Sequence, residues 1–278
     1  MLKKEDIRIR DPFILTDTEN RCYYMYGTTD LCPDTLHTGT TFSVYKTEDL
    51  EHFEPPKVIF SAQESDFWAT MDFWAPEVHK YNGKYYLLAS FKREDRCRGT
   101  QILACDTPDG TFRPISEGPV TPADWECLDG TLWVENGTPY MVFCHEWLQV
   151  KNGEICAIPL TADLSAPAGA PVVLFRATDN PLVSEFSSRH PNCFVTDGPF
   201  LFRENGQLKM IWSSFHEKRY AVLEATADTL LGPWQHGKSR FPFDGGHAMI
   251  FHRLDGTRMI SLHTPNKANT ERPIFLPY

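Results

Sequence analysis

Short runs of apolar residues, separated by polar turns, recur along this chain of 278 residues. Aromatic and β-branched residues dominate the runs, and Gly, Pro, Asn and Asp separate them, while long amphipathic helical patterns are missing. This pattern is typical of an all-β protein. Low-complexity segments, long charge runs and Gly/Ser linkers are absent, so we expect residues 1–278 to form a single domain.

Five of the segments share one design, which is a short apolar strand, a polar turn and a second apolar strand. They begin at Asp11, Ala75, Asp129, Asp197 and Gly246. Four of the turns contain Asn-Gly or Asp-Gly, which favour tight hairpins because Gly accepts a positive φ. The spacing of roughly 50 to 70 residues matches the blades of a propeller rather than the strands of a sandwich. The sequence therefore predicts a five-bladed β-propeller.

The first residue of each repeat is expected at one face of the propeller, beside the central axis. Asp11, Asp129 and Asp197 then share one repeated position with Ala75 and Gly246. A single Asp before a strand is usually a turn residue or a cap. Three carboxylates around one axial pocket would raise one another's pKa, and burial would add to the effect, which favours a functional site.

The second strand of each hairpin returns to the same face, so its last residues are also expected in the pocket. Glu146 is a fourth candidate carboxylate in the blade of Asp129, with a solvated loop position as the alternative. Trp74, Phe91 and Trp147 are candidate walls of the pocket, because aromatic rings stack on the apolar faces of sugars. For Trp74, packing between two blades is the alternative.

Hydrolysis of a glycosidic bond needs the groups that this pattern brings together. One carboxylic acid protonates the leaving oxygen, one carboxylate activates water or attacks the anomeric carbon, and a third acid tunes and orients the donor. P-loop, HExxH, zinc-type Cys/His and GxSxG patterns are absent. The net charge of −10 disfavours nucleic acid and anionic membranes as partners, and no apolar run is long enough to span a bilayer.

The motifs resemble those of glycoside hydrolase family 43, whose members are five-bladed propellers, over essentially the whole chain. RDPFIL at 10–15 is similar to the first-blade motif, and FWAPEVHKYNGKYYLLAS at 73–90 is similar to the WAP motif. TDGPFLFRENGQLKMIW at 196–212 resembles the segment that normally reads EGP, and GGHAMIF at 245–251 resembles the fifth-blade segment. Asp129 matches the third-blade acid by position, although the motif that it begins reads DGT where DP is more usual.

The resemblance implies a role for each site residue. Asp11 would be the general base, Asp129 would tune the pKa of the acid, and Asp197 would donate the proton, in a single displacement with inversion. The substrate would be an α-L-arabinofuranoside or β-D-xyloside of plant-type oligosaccharides, and Arg10 is a candidate contact to it. No cofactor is required, and His247 is a candidate contact to an axial water or calcium ion, with a buried core histidine as the alternative.

One departure from the family leaves alternatives open. The family's acid is Glu, whereas Asp197 is one methylene shorter, so Glu146 is an alternative proton donor. The shorter acid also leaves open a sugar-binding propeller without catalysis. A third reading is a glycoside phosphorylase, which would need cationic groups such as Arg10 and His190 to hold phosphate.

The cysteines and the first residues bear on the cellular location. Eight cysteines are scattered without a CxxC pair, and no signal peptide is visible, which favours the reducing cytoplasm. A periplasmic or secreted protein is expected instead if a signal has been removed. The loops at 32–42 and 176–193 are expected to set the depth of the pocket, and the sequence carries no signal for oligomeric state.

Overall fold

The protein is a five-bladed β-propeller, described by a computed structural model for residues 1–29, 39–237, 241 and 244–278. In each of blades 2 to 5 the strands follow the chain outward from the axis in an antiparallel sheet. In this part of the chain, helices are limited to the single turns Ala62–Ser65 and Trp147–Val150 and to the 3₁₀ turns Lys4–Asp6 and Ala177–Asp179. Within the described residues, no helix has the length and apolar character needed to span a membrane.

The strands group into blades as follows. Blade 1 contains Arg10–Asp17, Cys22–Thr28, Thr41–Thr47, Lys57–Ser61, His52–Phe53 and Leu2–Lys3. Blade 2 contains Met71–Tyr81, Lys84–Arg93, Arg96–Cys105 and Arg113–Pro114. Blade 3 contains Cys127–Glu135, Thr138–His145, Glu154–Pro159 and Val172–Arg176. Blade 4 contains Asp197–Glu204, Gln207–His216, Arg219–Ala227 and Gln235–His236, and blade 5 contains Gly246–His252, Arg258–Thr264 and Arg272–Pro277.

The five predicted hairpins are the two innermost strands of the five blades, which confirms the predicted fold. At the Asn-Gly turns both residues have positive φ, for example 52° at Asn136 and 81° at Gly137. Two consecutive left-handed residues are what a type I′ hairpin turn requires, and Asn and Gly adopt them at low cost. The hairpin of blade 2 begins upstream of the predicted Ala75, at Met71.

The ring closes where blade 5 meets blade 1. The innermost strands of neighbouring blades contact one another around the ring, including Gly246–His252 against Arg10–Asp17. Across this junction the Ser261 hydroxyl donates to the Pro12 carbonyl at 2.7 Å. Large apolar side chains pack between the blades, so the hydrophobic core surrounds the axis. Polar side chains line the space at the axis itself.

Each innermost strand has the same backbone feature near the axis, a residue with left-handed φ within a β-bulge. The five residues and their φ angles are Asp11 (55°), Ala75 (48°), Asp129 (55°), Gly198 (47°) and His247 (52°). Left-handed φ is costly for residues with a Cβ, and such residues concentrate at functional sites. The repeat therefore positions five residues in equivalent places around one axis.

This geometry corrects the predicted register in two blades. The sequence alignment put Asp197 and Gly246 level with Asp11, whereas the structure puts Gly198 and His247 there. Asp197 instead occupies the position of Arg10, one residue earlier in the repeat. The Asp-Gly pairs of blades 3 and 4 look alike in sequence, but in blade 4 Gly takes the left-handed position because it has no Cβ to clash.

Candidate active site

A cavity of about 470 Å³ lies at the axis where the innermost strands begin. All four candidate carboxylates line it, and so do four of the other predicted site residues. The carboxylates are Asp11, Asp129, Glu146 and Asp197, and the others are Arg10, Trp74, Trp147 and His247. Phe91 is the one predicted site residue that is not part of the lining.

Side chains on the second strand of a blade hold the left-handed residue of the next blade. The backbone N–H of that residue donates to Thr28 Oγ1 (from Ala75, 2.8 Å), Ser90 Oγ (from Asp129, 2.9 Å), Ser213 Oγ (from His247, 2.7 Å) and His263 Nδ1 (from Asp11, 3.2 Å). These bonds link neighbouring blades at the floor of the pocket. They provide acceptors for backbone N–H groups that, because of the bulges, have no hydrogen-bond partner in the neighbouring strand.

Blade 3 departs from this pattern, with a consequence for Asp129. Cys144 stands where the other blades have a hydroxyl or imidazole acceptor, since it pairs with Leu128 in the register. The N–H of Gly198 donates instead to Oδ2 of Asp129, at 3.0 Å. This bond fixes the Asp129 carboxylate toward blade 4 and favours its charged form.

Asp11 is surrounded by groups that stabilise its charge. The Thr28 hydroxyl donates to Oδ2 at 2.9 Å, and Nδ1 of His247 lies 3.2 Å from Oδ1. Burial raises the pKa of Asp11, but the charges of His247 and Arg10 and the Thr28 hydrogen bond outweigh it and hold the pKa below its ordinary value. Asp11 is therefore ionised at neutral pH and is able to accept a proton.

Asp129 and Asp197 are shifted in the opposite direction. Burial, with the charge of Asp11, raises the pKa of Asp129 to about 6, although His247 and the Gly198 N–H oppose the shift. Burial and the charge of Asp129 raise the pKa of Asp197 to about 7. A carboxyl with a pKa near neutrality can hold a proton and release it at the working pH.

Glu146 is tied to a buried arginine. The Arg98 guanidinium contacts Glu146 with one nitrogen and Oδ2 of Asp72, at 2.8 Å, with the other. Arg98 also lies over the Trp74 ring, 4.2 Å from its centroid. Burial raises the pKa of Glu146 to about 7, against the lowering effect of Arg98 and with a further raising effect of Asp197. Arg98, which is not apparent from any motif, thus connects a candidate carboxylate to a candidate aromatic wall.

His247 faces carboxylates rather than a free space for a cation. Its Nδ1 lies 3.2 Å from Oδ1 of Asp11 and 3.7 Å from Oδ2 of Asp129. Burial lowers the pKa of His247, but the charges of Asp11 and Asp129 outweigh this and raise it above its ordinary value. The shift favours the protonated ring, whose positive charge would oppose a calcium ion on this side of the ring.

The calcium ion near His247 accordingly stays a prediction. In residues 1–29, 39–237, 241 and 244–278, no three His, Cys, Asp or Glu side chains converge in a way that could hold a metal ion.

The aromatic residues divide between the wall of the pocket and the core. Trp147 lines the cavity and contacts the rings of Phe186 and His190, with centroid distances of 5.0 and 5.1 Å. Phe91, in contrast, is fully buried, 4.9 Å from the ring of Phe73. The prediction that Phe91 contacts a sugar is therefore wrong, and Phe91 is a core residue between blades 1 and 2.

Two residues of the pocket carry no sequence signal. Tyr220, on the third strand of blade 4, donates its hydroxyl to Oδ2 of Asp197 at 3.0 Å. Glu271, ahead of the last strand, is fully buried and its Oε1 pairs with Arg10 at 3.2 Å. The loop at 176–193 brings Phe186 to the pocket, whereas residues 32–38 of the other predicted loop lie outside the described residues.

Comparisons with known proteins agree with this architecture. The family model described as Glycosyl hydrolases family 43 matches residues 6–276. The chain is 27% identical over 248 residues to an extracellular exo-alpha-(1->5)-L-arabinofuranosidase of Streptomyces chartreusis, covering 85% of this chain and 70% of that protein. It is 26% identical over 199 residues to alpha-L-arabinofuranosidase 43 of Humicola insolens, covering 66% of this chain and only 40% of that protein's length.

Among solved structures, the endo-arabinase from Bacteroides thetaiotaomicron superposes with a TM-score of 0.92 and 40% identity, over 100% of this chain and 96% of that one. A thermostable family-43 glycoside hydrolase superposes with a TM-score of 0.80 at 23% identity, covering 95% of this chain and 87% of that one, which supports the fold. The expected class of enzyme, a glycosidase, is confirmed with the family. This chain belongs to glycoside hydrolase family 43.

Proposed function

We propose that this protein hydrolyses α-L-arabinofuranosides or β-D-xylosides by a single displacement with inversion, within one catalytic domain. The observation that carries the proposal is the separation of pKa values among three carboxyls that line one pocket. The pKa of Asp11 is lowered, whereas the pKa of Asp129 is raised to about 6 and that of Asp197 to about 7. Carboxyls that their surroundings push apart in this way are suited to act as base and acid in one reaction.

In this mechanism the base and the acid act in one step. Asp11 accepts a proton from water while the water oxygen bonds to the anomeric carbon, and the bond to the leaving oxygen breaks. Asp197 transfers its proton to that oxygen, so the step leaves Asp11 protonated and Asp197 ionised. Exchange of one proton with solvent restores both groups. The charge of Asp129 keeps the proton affinity of Asp197 high between turnovers.

Asp197 is favoured over Glu146 as the proton donor because of what each carboxyl contacts. The Glu146 carboxylate is paired with Arg98, and protonation would leave that buried guanidinium with one partner fewer. The hydrogen bond that Asp197 accepts among the described residues comes from a neutral group, the Tyr220 hydroxyl. We infer that Glu146 holds Arg98 in place behind Trp74 rather than protonating the leaving group.

Arabinofuranosides are favoured over xylosides by the nature of the relatives. The solved structure that is 40% identical is described as an endo-arabinase, and both curated relatives are described as arabinofuranosidases. The test is turnover of nitrophenyl α-L-arabinofuranoside, nitrophenyl β-D-xyloside and arabino-oligosaccharides by the purified protein. Turnover of the xyloside alone would contradict the preference for arabinofuranosides.

The residue roles are tested with Asp11→Asn, Asp197→Asn and Glu146→Gln. Each is assayed on an alkyl arabinofuranoside, whose leaving group needs protonation, and on a dinitrophenyl one, whose leaving group does not. Asp11→Asn is expected to lose both activities, by about a thousandfold, and Asp197→Asn mainly the first. If Glu146→Gln, and not Asp197→Asn, shows this dependence on the leaving group, Glu146 is the proton donor.

The same proteins also test the other two functions considered from the sequence, when sugar binding and the effect of phosphate on turnover are measured as well. A sugar-binding propeller would turn over neither substrate, and Asp11→Asn would still bind the sugar. A phosphorylase would need phosphate for turnover, yet Arg10 is already paired with Glu271, and His190 contacts Trp147. We expect hydrolysis at an equal rate with and without phosphate.

The cytoplasmic location and the absence of nucleic-acid partners stay predictions. The seven described cysteines are all free thiols, which supports a reducing compartment. The Streptomyces relative, in contrast, is described as extracellular. Fractionation of the producing cells tests the location.

A further inference from the structure

Tyr220 is the neutral donor that touches the proposed acid. It lies on the strand Arg219–Ala227 of blade 4, is buried, and lines the axial pocket. Its hydroxyl donates to Oδ2 of Asp197 at 3.0 Å. Burial and the charge of Asp197 raise the pKa of Tyr220 well above its ordinary value, so the phenol keeps its proton.

The ring of Tyr220 is held tightly in place. It stacks on the imidazole of His263 at a centroid distance of 5.8 Å and an interplanar angle of 22°, and Phe215 packs on it at 5.5 Å. Gly246 lies so close that a Cβ there would be 2.4 Å from Cε1 of Tyr220. The hydroxyl therefore has a fixed position, set by side chains and backbone of blades 4 and 5.

A fixed donor decides how a carboxyl carries its proton. An oxygen that already accepts the Tyr220 hydrogen bond is the acceptor oxygen, so the acidic proton of Asp197 resides on the other oxygen, Oδ1. We propose that Tyr220 is a positioning residue, which assigns the transferable proton to Oδ1 of Asp197 and fixes the direction of the carboxyl. This inference rests on the proposed function of Asp197 as the proton donor.

Removal of the hydroxyl would change the acid in a defined direction. Besides Tyr220, the groups that act on Asp197 are Asp129, His247, Arg10 and Glu146. The Tyr220 hydrogen bond stabilises the charged form and lowers the pKa of Asp197, so its loss raises that pKa. The basic limb of the pH–rate profile, where the acid loses its proton, then moves to higher pH.

The test is Tyr220→Phe, assayed across pH on the alkyl and dinitrophenyl arabinofuranosides. We expect kcat on the alkyl substrate to fall by roughly tenfold. The basic limb of its pH profile should move to higher pH by about one unit, because a hydrogen bond to a charged group changes a pKa by about that amount. The dinitrophenyl substrate should keep most of its rate, and KM should stay close to wild type.

Tyr26→Phe is the matched control. Tyr26 lies in blade 1, outside the pocket lining, and is equally buried. Its hydroxyl donates to the Pro108 carbonyl of blade 2 at 2.7 Å. It should lower Tm about as much as Tyr220→Phe does and leave the pH profile unchanged. A loss of rate without a shift of the basic limb, in a Tyr220→Phe protein as stable as the control, would overturn the inference.

A second replacement keeps the test independent of folding defects. With 3-fluorotyrosine at position 220 the phenol is a stronger donor, so the basic limb is expected to move to lower pH, opposite to the Phe variant. Shifts of the same sign, or no shift, in the two proteins would also overturn the inference. If Asp197→Asn itself keeps its rate on the alkyl substrate, the proposed acid is wrong, and that result is distinct from a failure of Tyr220.

Discussion

At the scale of single residues, surroundings rather than residue type separate the roles of the carboxyls. Asp11 and Asp197 have the same side chain, Asp11 buried and Asp197 partly buried, yet their pKa values are shifted in opposite directions. A donated hydroxyl and the charges of His247 and Arg10 favour the ionised form of Asp11. At Asp197 the charge of Asp129 disfavours the ionised form. The pocket thus makes Asp11 suited to act as a base and Asp197 as an acid, although the two side chains are identical.

Replacement of Thr28 should alter the pKa of Asp11 more selectively than the replacement of its charged neighbours. Its Oγ1 accepts from the Ala75 N–H at 2.8 Å and donates to Asp11 Oδ2 at 2.9 Å. Thr28→Val keeps the shape, removes the donor and leaves the Ala75 N–H unpaired, which should cost about 1–3 kcal/mol of unfolding free energy. The pKa of Asp11 should rise, so activity should disappear at a higher pH on the acid side of the profile.

Thr100→Val is the control for this change. Thr100 is as buried as Thr28, but its hydroxyl has no hydrogen-bond partner in the described part of the chain. Its replacement should leave both the stability and the acid limb near wild type. An acid limb that stays in place in Thr28→Val would contradict the role of this hydroxyl.

Single residues also show what sequence can and cannot predict. Asp11 and Asp129 were predictable because they begin repeated motifs, and the structure places both at the axis. Phe91 was misassigned because side chains alternate along a strand, so it points away from the side of Ser90, whose hydroxyl accepts from Asp129. Tyr220 lies on a third strand outside every repeated motif, and only the folded ring brings it to Asp197.

At the scale of elements, local turn chemistry was readable and the register at the axis was not. The Asn-Gly turns identified the hairpins because these residues accept positive φ. At the inner ends of the same strands, Asp-Gly also occurs, but which of the two residues becomes left-handed depends on the bulge and on its partner in the preceding blade. For Gly198 that partner is Oδ2 of Asp129, in a different blade.

Two glycines of blade 4, one in the innermost strand and one in the hairpin turn that follows it, provide a matched pair for testing the axial bulge. Gly198 and Gly206 both have positive φ, 47° and 82°. A Cβ at Gly198 would lie 2.8 Å from the His247 ring, whereas a Cβ at Gly206 would meet nothing within 4 Å. Gly206→Ala should therefore cost about 1 kcal/mol of stability through strain alone and keep full activity.

Gly198→Ala should add displacement of His247 to the same strain. Because His247 lowers the pKa of both Asp11 and Asp129, its displacement should reduce kcat by more than tenfold. Thermal unfolding and steady-state kinetics on both proteins check this. Equal activity of the two Ala variants would mean that the contact between Gly198 and His247 has no functional weight.

At the scale of the whole molecule, the closed ring collects groups from distant parts of the sequence into one buried space. Arg10 pairs with Glu271, and Asp11 with His263, where the last blade meets the first. No short segment contains this arrangement, which is why Glu271 could not be predicted. Burial and the charges of neighbouring carboxylates disfavour the ionised forms of Asp129 and Asp197 at the axis. Such groups reduce the stability of the folded protein, as is common at active sites.

This cost should be measurable as a dependence of stability on pH. The folded pKa of Asp197, about 7, lies above its ordinary value of 3.8, so the folded protein holds a proton that the unfolded chain releases. The stabilising contribution is complete below the unfolded pKa and is lost as pH rises through the folded one. Asp197→Asn removes this loss, so the variant should gain stability over wild type between about pH 5 and about pH 8.

Denaturant unfolding of both proteins at the two pH values measures the effect. The difference in unfolding free energy should grow by about 2.5 to 3 kcal/mol in favour of the variant, since the two pH units between pH 5 and the folded pKa of about 7 are each worth about 1.4 kcal/mol. Asp106→Asn is the control, because its side chain is 88% exposed and should give no such growth. A constant difference across this pH range would mean that Asp197 is already ionised in the resting protein, and it could not then serve as the acid.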